Sequence, residues 1–182
     1  MSLSMWRNAS TRRKRILSTI VILVIATVIT AVGAFMPINA QDAQTISNDL
    51  NQTANSLSAN NALTPYIFGN NFMICLIMFI PIAGPIFGFY VLYNTGIAVG
   101  AVATTQGYPS FVALFAEFLT PIFWLEFISY SIAITESIWL LRRMMQHSGT
   151  REIKNTGVLV TFCAAVLFLS AIIETALISV GA

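Results

Sequence analysis

The chain has 182 residues, of which 57% are hydrophobic and only 9% are charged, and its formal net charge is +2. A soluble globular domain carries about 25% charged residues, so this chain has too few charges to cover its own surface in water. The composition therefore excludes an ordinary soluble globule. It predicts an all-α, polytopic transmembrane bundle, because helices satisfy their own backbone hydrogen bonds in lipid.

The nine basic residues occur in two groups, one before the first apolar run and one before the last. They are Arg7, Arg12, Arg13, Lys14 and Arg15, followed by Arg142, Arg143, Arg151 and Lys154. Positively charged loops stay on the cytoplasmic side of a membrane, so both groups are predicted to be cytoplasmic in a plasma-membrane protein. The predicted determinants of topology are Arg12, Arg13, Lys14, Arg15, Arg142 and Arg143. Nucleic-acid binding is not expected, because apolar sequence begins at once after the first group.

The first predicted span follows a basic cytoplasmic segment, residues 1–15. Residues 16–36 carry no charge and match the ~20 residues that a spanning helix needs. A cleaved signal peptide is the alternative, but its apolar core is typically about 7–15 residues, so a retained anchor helix is favoured. The polar segment 37–65 is predicted to lie outside. Its helically spaced apolar residues predict an amphipathic helix on the outer membrane face or against other helices: Ala43, Ile46, Leu50, Ala54 and Leu57.

The remaining segment, residues 66–182, is predicted to form a four-span core. Its first 41 residues are uncharged, which predicts helices over 67–83 and 86–104 with a turn at Ala83-Gly84-Pro85. Ser110–Leu119 is too short to span and is predicted to be an outer or re-entrant helix. Spans over Ile122–Leu141 and Thr156–Val180 then flank a basic cytoplasmic loop, 142–155. With the anchor helix this makes about five spans, with the C-terminus outside.

Four glycines recur at multiples of four residues, with Leu92 at the remaining position: Gly84, Gly88, Gly96 and Gly100. Of these, Gly96 and Gly100 lie on one face of the third predicted span. Such spacing lets two helix backbones approach closely in lipid. The favoured interpretation is therefore close helix packing, and the alternative is the lining of a substrate path.

Four acidic residues lie within or beside apolar segments: Glu117, Glu126, Glu136 and Glu174. A carboxylate at the bilayer centre costs about 2.5–3.5 kcal/mol on insertion scales, so such residues are functional candidates. Helical rise places Glu126 and Glu174 at nearly the same level in the outer half. Glu117 lies near the outer turn, whereas Glu136 is predicted to reach the inner interface or approach Arg143. The predicted intramembrane polar centre comprises Glu126, Glu174, Asn70, Asn71, Asn94 and Tyr130, as a helix staple or as a site for protons, cations or polar substrates.

No cofactor, metal site or catalytic residue is predicted. Cys75 and Cys163 lie inside apolar runs, where cysteine behaves as a small hydrophobic residue. The single histidine, His147, cannot form a metal site alone and is predicted to be a solvated loop residue. No predicted span holds a histidine that could activate a serine, so an intramembrane enzyme is disfavoured, although a carboxylate pair stays open.

Four segments in residues 66–182 resemble the stage II sporulation protein M family of bacterial and archaeal membrane proteins. They are Asn70-Asn71, Asn94-Thr95-Gly96 with Gly100, Pro121 with Glu126, and Ala171-Ile172-Ile173-Glu174. The family's Pro-His-Gly-x-x-Glu pattern is altered here, because Ile122 and Phe123 occupy the histidine and glycine positions, so no role of that histidine carries over. The resemblance implies a five- or six-span helical protein without defined catalytic activity. The bacterial member is similar to a scaffold that recruits cell-wall hydrolases during engulfment.

The sequence thus predicts a non-catalytic scaffold or accessory subunit of a larger membrane complex. Its partners would be the lipid bilayer and other membrane subunits or further copies of itself. The alternative is a small proton- or cation-coupled transporter or channel that uses Glu126 and Glu174.

Overall fold

The computed structural model describes residues 11–146 and 149–181 of the chain, with side chains from residue 12 to 146 and from 154 to 180. The described residues are almost entirely helical and contain no strand. The predictions for residues 1–10 and for His147 lie outside them. The helices are α1 (Thr11–Ala34), α2 (Ala40–Ala59), α3 (Leu63–Met78), α4 (Ala83–Gln106), α5 (Ser110–Leu119), α6 (Pro121–Met145) and α7 (Gly149–Gly181).

Three helices are long and apolar enough to cross a membrane, namely α1, α4 and α7. Helices α5 and α6 meet the same criteria only as a pair, and their axes are bent by 83° at the break between them. Helix α3 is apolar but has 16 residues, a length of about 24 Å against a hydrocarbon core of about 30 Å. The described residues therefore provide three to four candidate spans, and the predicted number of five is not confirmed.

Helices α1 and α4 pack backbone against backbone. A Cβ added at Gly96 would overlap the carbonyl oxygen of Thr30, and one added at Gly100 would lie 2.6 Å from the carbonyl oxygen of Ala34. Gly33 on α1 makes the reciprocal approach to the Tyr93 carbonyl. The Thr30 hydroxyl, buried in this contact, donates a hydrogen bond to the Leu92 carbonyl at 3.1 Å. Because these glycines have no side chains, the backbones of α1 and α4 can lie in direct contact.

The turn between α3 and α4 lies earlier than the sequence predicts. Helix α3 ends at Met78, and Ala83 already begins α4, so the predicted turn at Ala83-Gly84-Pro85 is wrong. Pro85 is tolerated in the first helical turn because backbone nitrogens in that turn have no intrahelical hydrogen-bond acceptor. The chain reverses instead through residues 79–82, where Ile82 has a φ of 69°. Gly84 is needed because a Cβ there would overlap the Met78 carbonyl.

Helix α2 packs against α4 and also contacts α3. It begins at the N-cap Asn39, whose side-chain oxygen accepts a hydrogen bond from the Asp42 backbone N–H at 2.8 Å. Ala43 and Ser47 are buried, but Leu50 on the same face is 48% exposed. The predicted amphipathic helix is present and lies against the bundle, and its apolar stripe is only partly covered.

The predicted basic loop at 142–155 is wrong over most of its length. Helix α6 continues to Met145 and includes Arg142 and Arg143, and α7 already begins at Gly149. Cations in the last turn of a helix are stabilised by its macrodipole, so these arginines extend α6 where a loop was expected. Only residues 146–148 separate the two helices.

The apolar core lies among α1, α3, α4, α6 and α7. Cys75 of α3 and Cys163 of α7 are fully buried in it, and their sulfur atoms lie 4.0 and 3.6 Å from the same carbonyl oxygen, that of Ser129 on α6. The small side chains predicted from the sequence thus allow α3 and α7 to approach α6 closely at one level.

Candidate functional site

A first group of polar side chains, the Glu126 cluster, joins α3, α5, α6 and α7. The Asn71 amide nitrogen donates a hydrogen bond to Glu126 Oε1 at 2.6 Å. Glu174 and Glu117 lie close enough to Glu126 to interact with it electrostatically. Asn70 reaches the cluster through its neighbour, donating to Asn71 Oδ1 at 3.4 Å. The structure therefore brings Asn71, Glu126 and Glu174 together from three helices, while Asn70 is exposed and is bonded to its neighbour Asn71.

The elbow between α5 and α6 positions the carboxylates of this cluster. Thr120 caps α6, since its hydroxyl oxygen accepts a hydrogen bond from the Phe123 backbone N–H at 3.3 Å. The same hydroxyl donates to the Glu117 carbonyl at 2.8 Å, and the Trp124 indole N–H donates to the Phe118 carbonyl at 2.9 Å. These bonds fix the 83° bend, and the bend brings Glu117 towards Glu126.

Two buried hydroxyl groups complete the Glu126 cluster. Tyr130, one turn from Glu126 on α6, is buried within electrostatic range of both Glu126 and Glu174. Ser170, one turn from Glu174 on α7, lies beside Glu126. Its hydroxyl is buried and interacts with the Glu126 carboxylate outside regular hydrogen-bond geometry. Sequence reasoning missed Ser170, although its four-residue spacing from Glu174 puts both on one helix face.

Asn94 does not belong to this cluster, and its predicted place in the polar centre is wrong. It is exposed on α4, and its amide nitrogen donates to the Tyr90 carbonyl of the same helix at 2.8 Å. The buried face of α4 contains Leu92 and Gly96. Asn94 lies two residues from each, which at about 100° per residue turns its side chain away from the other helices.

A second group, the Glu136 cluster, consists of Glu136 of α6, Arg15 of α1 and Thr156 of α7. Glu136 is only 2% exposed, and Arg15 Nη1 lies 3.1 Å from its Oε2 and 3.4 Å from its Oε1. The Thr156 hydroxyl donates to Glu136 Oε1 at 3.0 Å. Sequence reasoning treated Arg15 only as a determinant of topology and assigned Glu136 no cation from α1. The sequence did contain a signal for this pair, because Arg15 and Glu136 both lie near the predicted cytoplasmic boundary of their helices.

The two basic groups meet at one end of the bundle, called here the basic end. The guanidinium carbons of Arg15 and Arg142 lie 5.5 and 5.6 Å from the centre of the Trp139 ring. Arg12 and Arg143 line a groove beside them. The predicted topology residues thus share one end, and Trp139 lies between the groups.

Comparison with known proteins identifies a matching family. The model of the stage II sporulation protein M family matches residues 18–177, which is most of the chain. The chain belongs to the stage II sporulation protein M family. No curated protein and no solved structure matches it. The match begins in α1, well before residue 66. The family relationship therefore includes α1 and α2 as well as residues 66–182, which carry the sequence resemblance.

This member of the stage II sporulation protein M family has an aromatic cluster beside Glu126. Phe123 is buried, with its ring centroid 3.9 Å from that of Phe127 and 4.6 Å from that of Phe118. The Trp124 ring packs edge-on against Phe123. Phe123 therefore closes the α5–α6 elbow with apolar contacts.

The two clusters differ in the chemistry open to them. Among the described residues, no three His, Cys, Asp or Glu side chains are grouped so that they could hold a metal ion. The Glu136 cluster is a compensated ion pair. The Glu126 cluster combines carboxylates with amide and hydroxyl groups, an arrangement that can share a proton, hold helices together or attract a cation.

Proposed function

We propose that this protein is a non-catalytic membrane scaffold or accessory subunit of a larger membrane complex. The observation that supports this most strongly is the use of its intramembrane polar groups to join helices. Glu136 links α1, α6 and α7 through Arg15 and Thr156, and Glu126 is bonded to α3 through Asn71. Together with the glycine contact between α1 and α4, these bonds favour a rigid platform.

Helix α2 offers the platform a surface for assembly. It is anchored to the bundle by Ala43 and Ser47, while most of its amide and hydroxyl side chains are exposed. Because α2 lies at the end of α1 opposite the basic end, the proposed orientation places it outside the cytoplasm. The proposed partner is a second membrane subunit, or a further copy of this chain, that contacts α2.

Site-specific photo-crosslinking tests this role. A photoreactive residue at the exposed position Gln52 of α2 should give one discrete protein adduct in native membranes, stoichiometric after gentle extraction. The control position is Val158, which is exposed on the apolar helix α7 and should give lipid adducts only. Absence of a protein adduct at Gln52, or the same adducts at both positions, would remove the support for a scaffold.

Cysteine labelling tests the proposed orientation. Cys75 and Cys163 are fully buried, so a cysteine introduced at Gln52 or at Arg142 reports its own exposure. In intact cells, a membrane-impermeant maleimide should label the Gln52→Cys protein and spare the Arg142→Cys protein. Labelling of Arg142→Cys alone would reverse the proposed topology.

A transporter or channel is the second proposal, favoured by the proximity of Glu117, Glu126 and Glu174. Clustered carboxylates within a bundle attract protons or cations. In proteoliposomes, the double variant Glu126→Gln/Glu174→Gln should abolish any proton or cation flux that the native protein supports. The control Asp42→Asn removes a carboxylate on α2 and should leave the flux unchanged. Equal flux from native protein and double variant excludes this mechanism.

A further inference from the structure

A long groove runs along the outside of α6 between α1 and α7. Its floor includes Ile128, Ile132 and Thr135 of α6, and its walls include Ile20 of α1 and Leu159 of α7. The groove has a volume of about 1060 Å³, near the upper limit of the roughly 300–1,000 Å³ typical of ligand pockets. It is open on the side where Ile16, Ile20 and Val158 are exposed, so it is accessible from the surrounding lipid.

The two ends of the groove differ in charge. Its apolar part is formed by isoleucine, leucine and valine side chains, whereas Arg12, Arg15 and Arg143 line the basic end. Glu136 is the single carboxylate among the lining residues, and it is already bonded to Arg15 and Thr156. The described lining residues therefore combine a cationic end with an apolar channel.

A buried hydroxyl group lies at the boundary between the two parts. Thr135 lines the groove, is 3% exposed, and its hydroxyl has no hydrogen-bond partner among the described residues. A buried hydroxyl without a hydrogen-bond partner is energetically unfavourable. An oxygen atom of a bound molecule at this level would provide the missing acceptor.

We propose that this groove binds one anionic membrane lipid. Its phosphate headgroup lies between Arg12 and Arg143, an oxygen near its backbone accepts the hydrogen bond of Thr135, and an apolar chain lies along Ile132 and Ile128. Arg143 and Ile128 are separated by about 22 Å along α6. This distance accommodates a headgroup and the chain of one leaflet, which is about 15 Å thick. The proposal requires the helices to be in a membrane but does not depend on the scaffold role.

Native mass spectrometry of the delipidated full-length protein tests the site. Phosphatidylglycerol should bind at least tenfold more tightly than phosphatidylcholine, which carries no net charge. The variant Arg12→Gln/Arg143→Gln keeps the Arg15–Glu136 pair and should lose about 25-fold in affinity for phosphatidylglycerol, since each basic residue contributes about fivefold. The control Arg142→Gln removes a cation that lies over Trp139 and should change this affinity less than twofold. Equal binding of the two lipids, or equal loss in both variants, overturns the proposal.

Two further measurements separate a lipid from other anions and from misfolding. Inorganic phosphate at millimolar concentration should not displace phosphatidylglycerol, because it lacks the chain that fills the apolar part; displacement would show a headgroup site only and overturn the lipid proposal. In the native protein, phosphatidylglycerol with a photoreactive group in its chain should label the segment 128–135. Labelling distributed over all apolar helices would show non-specific solvation and also overturn it.

Discussion

Glu126 and Glu136 lie on the same helix, α6, but their carboxylates have different environments. Glu136 faces a guanidinium from α1 and a hydroxyl from α7, so its negative charge is compensated within contact distance. Glu126 faces the neutral amide of Asn71 and the acidic side chains of Glu174 and Glu117. We therefore expect Glu126 to tolerate loss of the Asn71 amide better than Glu136 tolerates loss of the Arg15 cation.

The largest expected effect is on the compensated pair. Arg15→Gln leaves Glu136 buried without its cation and should destabilise the protein by about 3–5 kcal/mol. The measurement is the free energy of unfolding in mixed detergent micelles. The double variant Arg15→Met/Glu136→Met replaces the pair with apolar side chains of similar length and should recover most of this loss. If the double variant is no more stable than Arg15→Gln, the pair is not the source of the effect.

The second prediction concerns whether the contact between α1 and α4 is needed to hold Arg15 next to Glu136. Gly96→Ala places a methyl group against the Thr30 carbonyl, so the helices must separate, at a cost of about 1–3 kcal/mol. Crosslinking should show that Arg15 and Glu136 move apart while Asn71 and Glu126 stay close. Gly157→Ala is the matched control, because an added Cβ meets no atom within 4 Å there. Similar losses in both variants would contradict the proposed close contact.

The smallest effect concerns the Glu126 cluster. Asn71→Ala removes one interhelical hydrogen bond, and such bonds in membranes average about 0.6 kcal/mol with a maximum near 1.7 kcal/mol. The unfolding measurement should therefore show a loss several times smaller than that of Arg15→Gln. The control Asn94→Ala removes an exposed amide that bonds only within α4 and should be nearly neutral. A loss for Asn71→Ala as large as that for Arg15→Gln would erase the distinction between the two clusters.

Features that depend on position along the chain could be predicted from the sequence. The apolar runs predicted α1, α4 and the spanning part of α7, and the short apolar segment Ser110–Leu119 predicted a separate helix before α6. The helix ends were less accurate. Pro85 predicts a turn, although the first turn of a helix accepts proline. Arg142 and Arg143 predict a loop, although they complete α6.

Features that depend on rotation about a helix axis could not be predicted in the same way. Counting residues gives depth in the membrane but not the direction of a side chain relative to its neighbours. Depth was enough to match Glu126 with Glu174. The prediction wrongly included Asn94, whose side chain is directed away from the bundle. Depth alone also could not identify Arg15, and not Arg143, as the cation that pairs with Glu136.

The glycine contact has a consequence for biogenesis. Helix α1 is made before α4, the helix with which it packs most extensively, and 48 residues lie between Ala34 and Ala83. Lipid must solvate α1 while those residues are synthesised, which its apolar surface permits. Helix α1 thus completes its packing only after the ribosome has synthesised α4. A nascent chain stopped before α4 would present Thr30 and Gly33 to the bilayer with no helix to cover them.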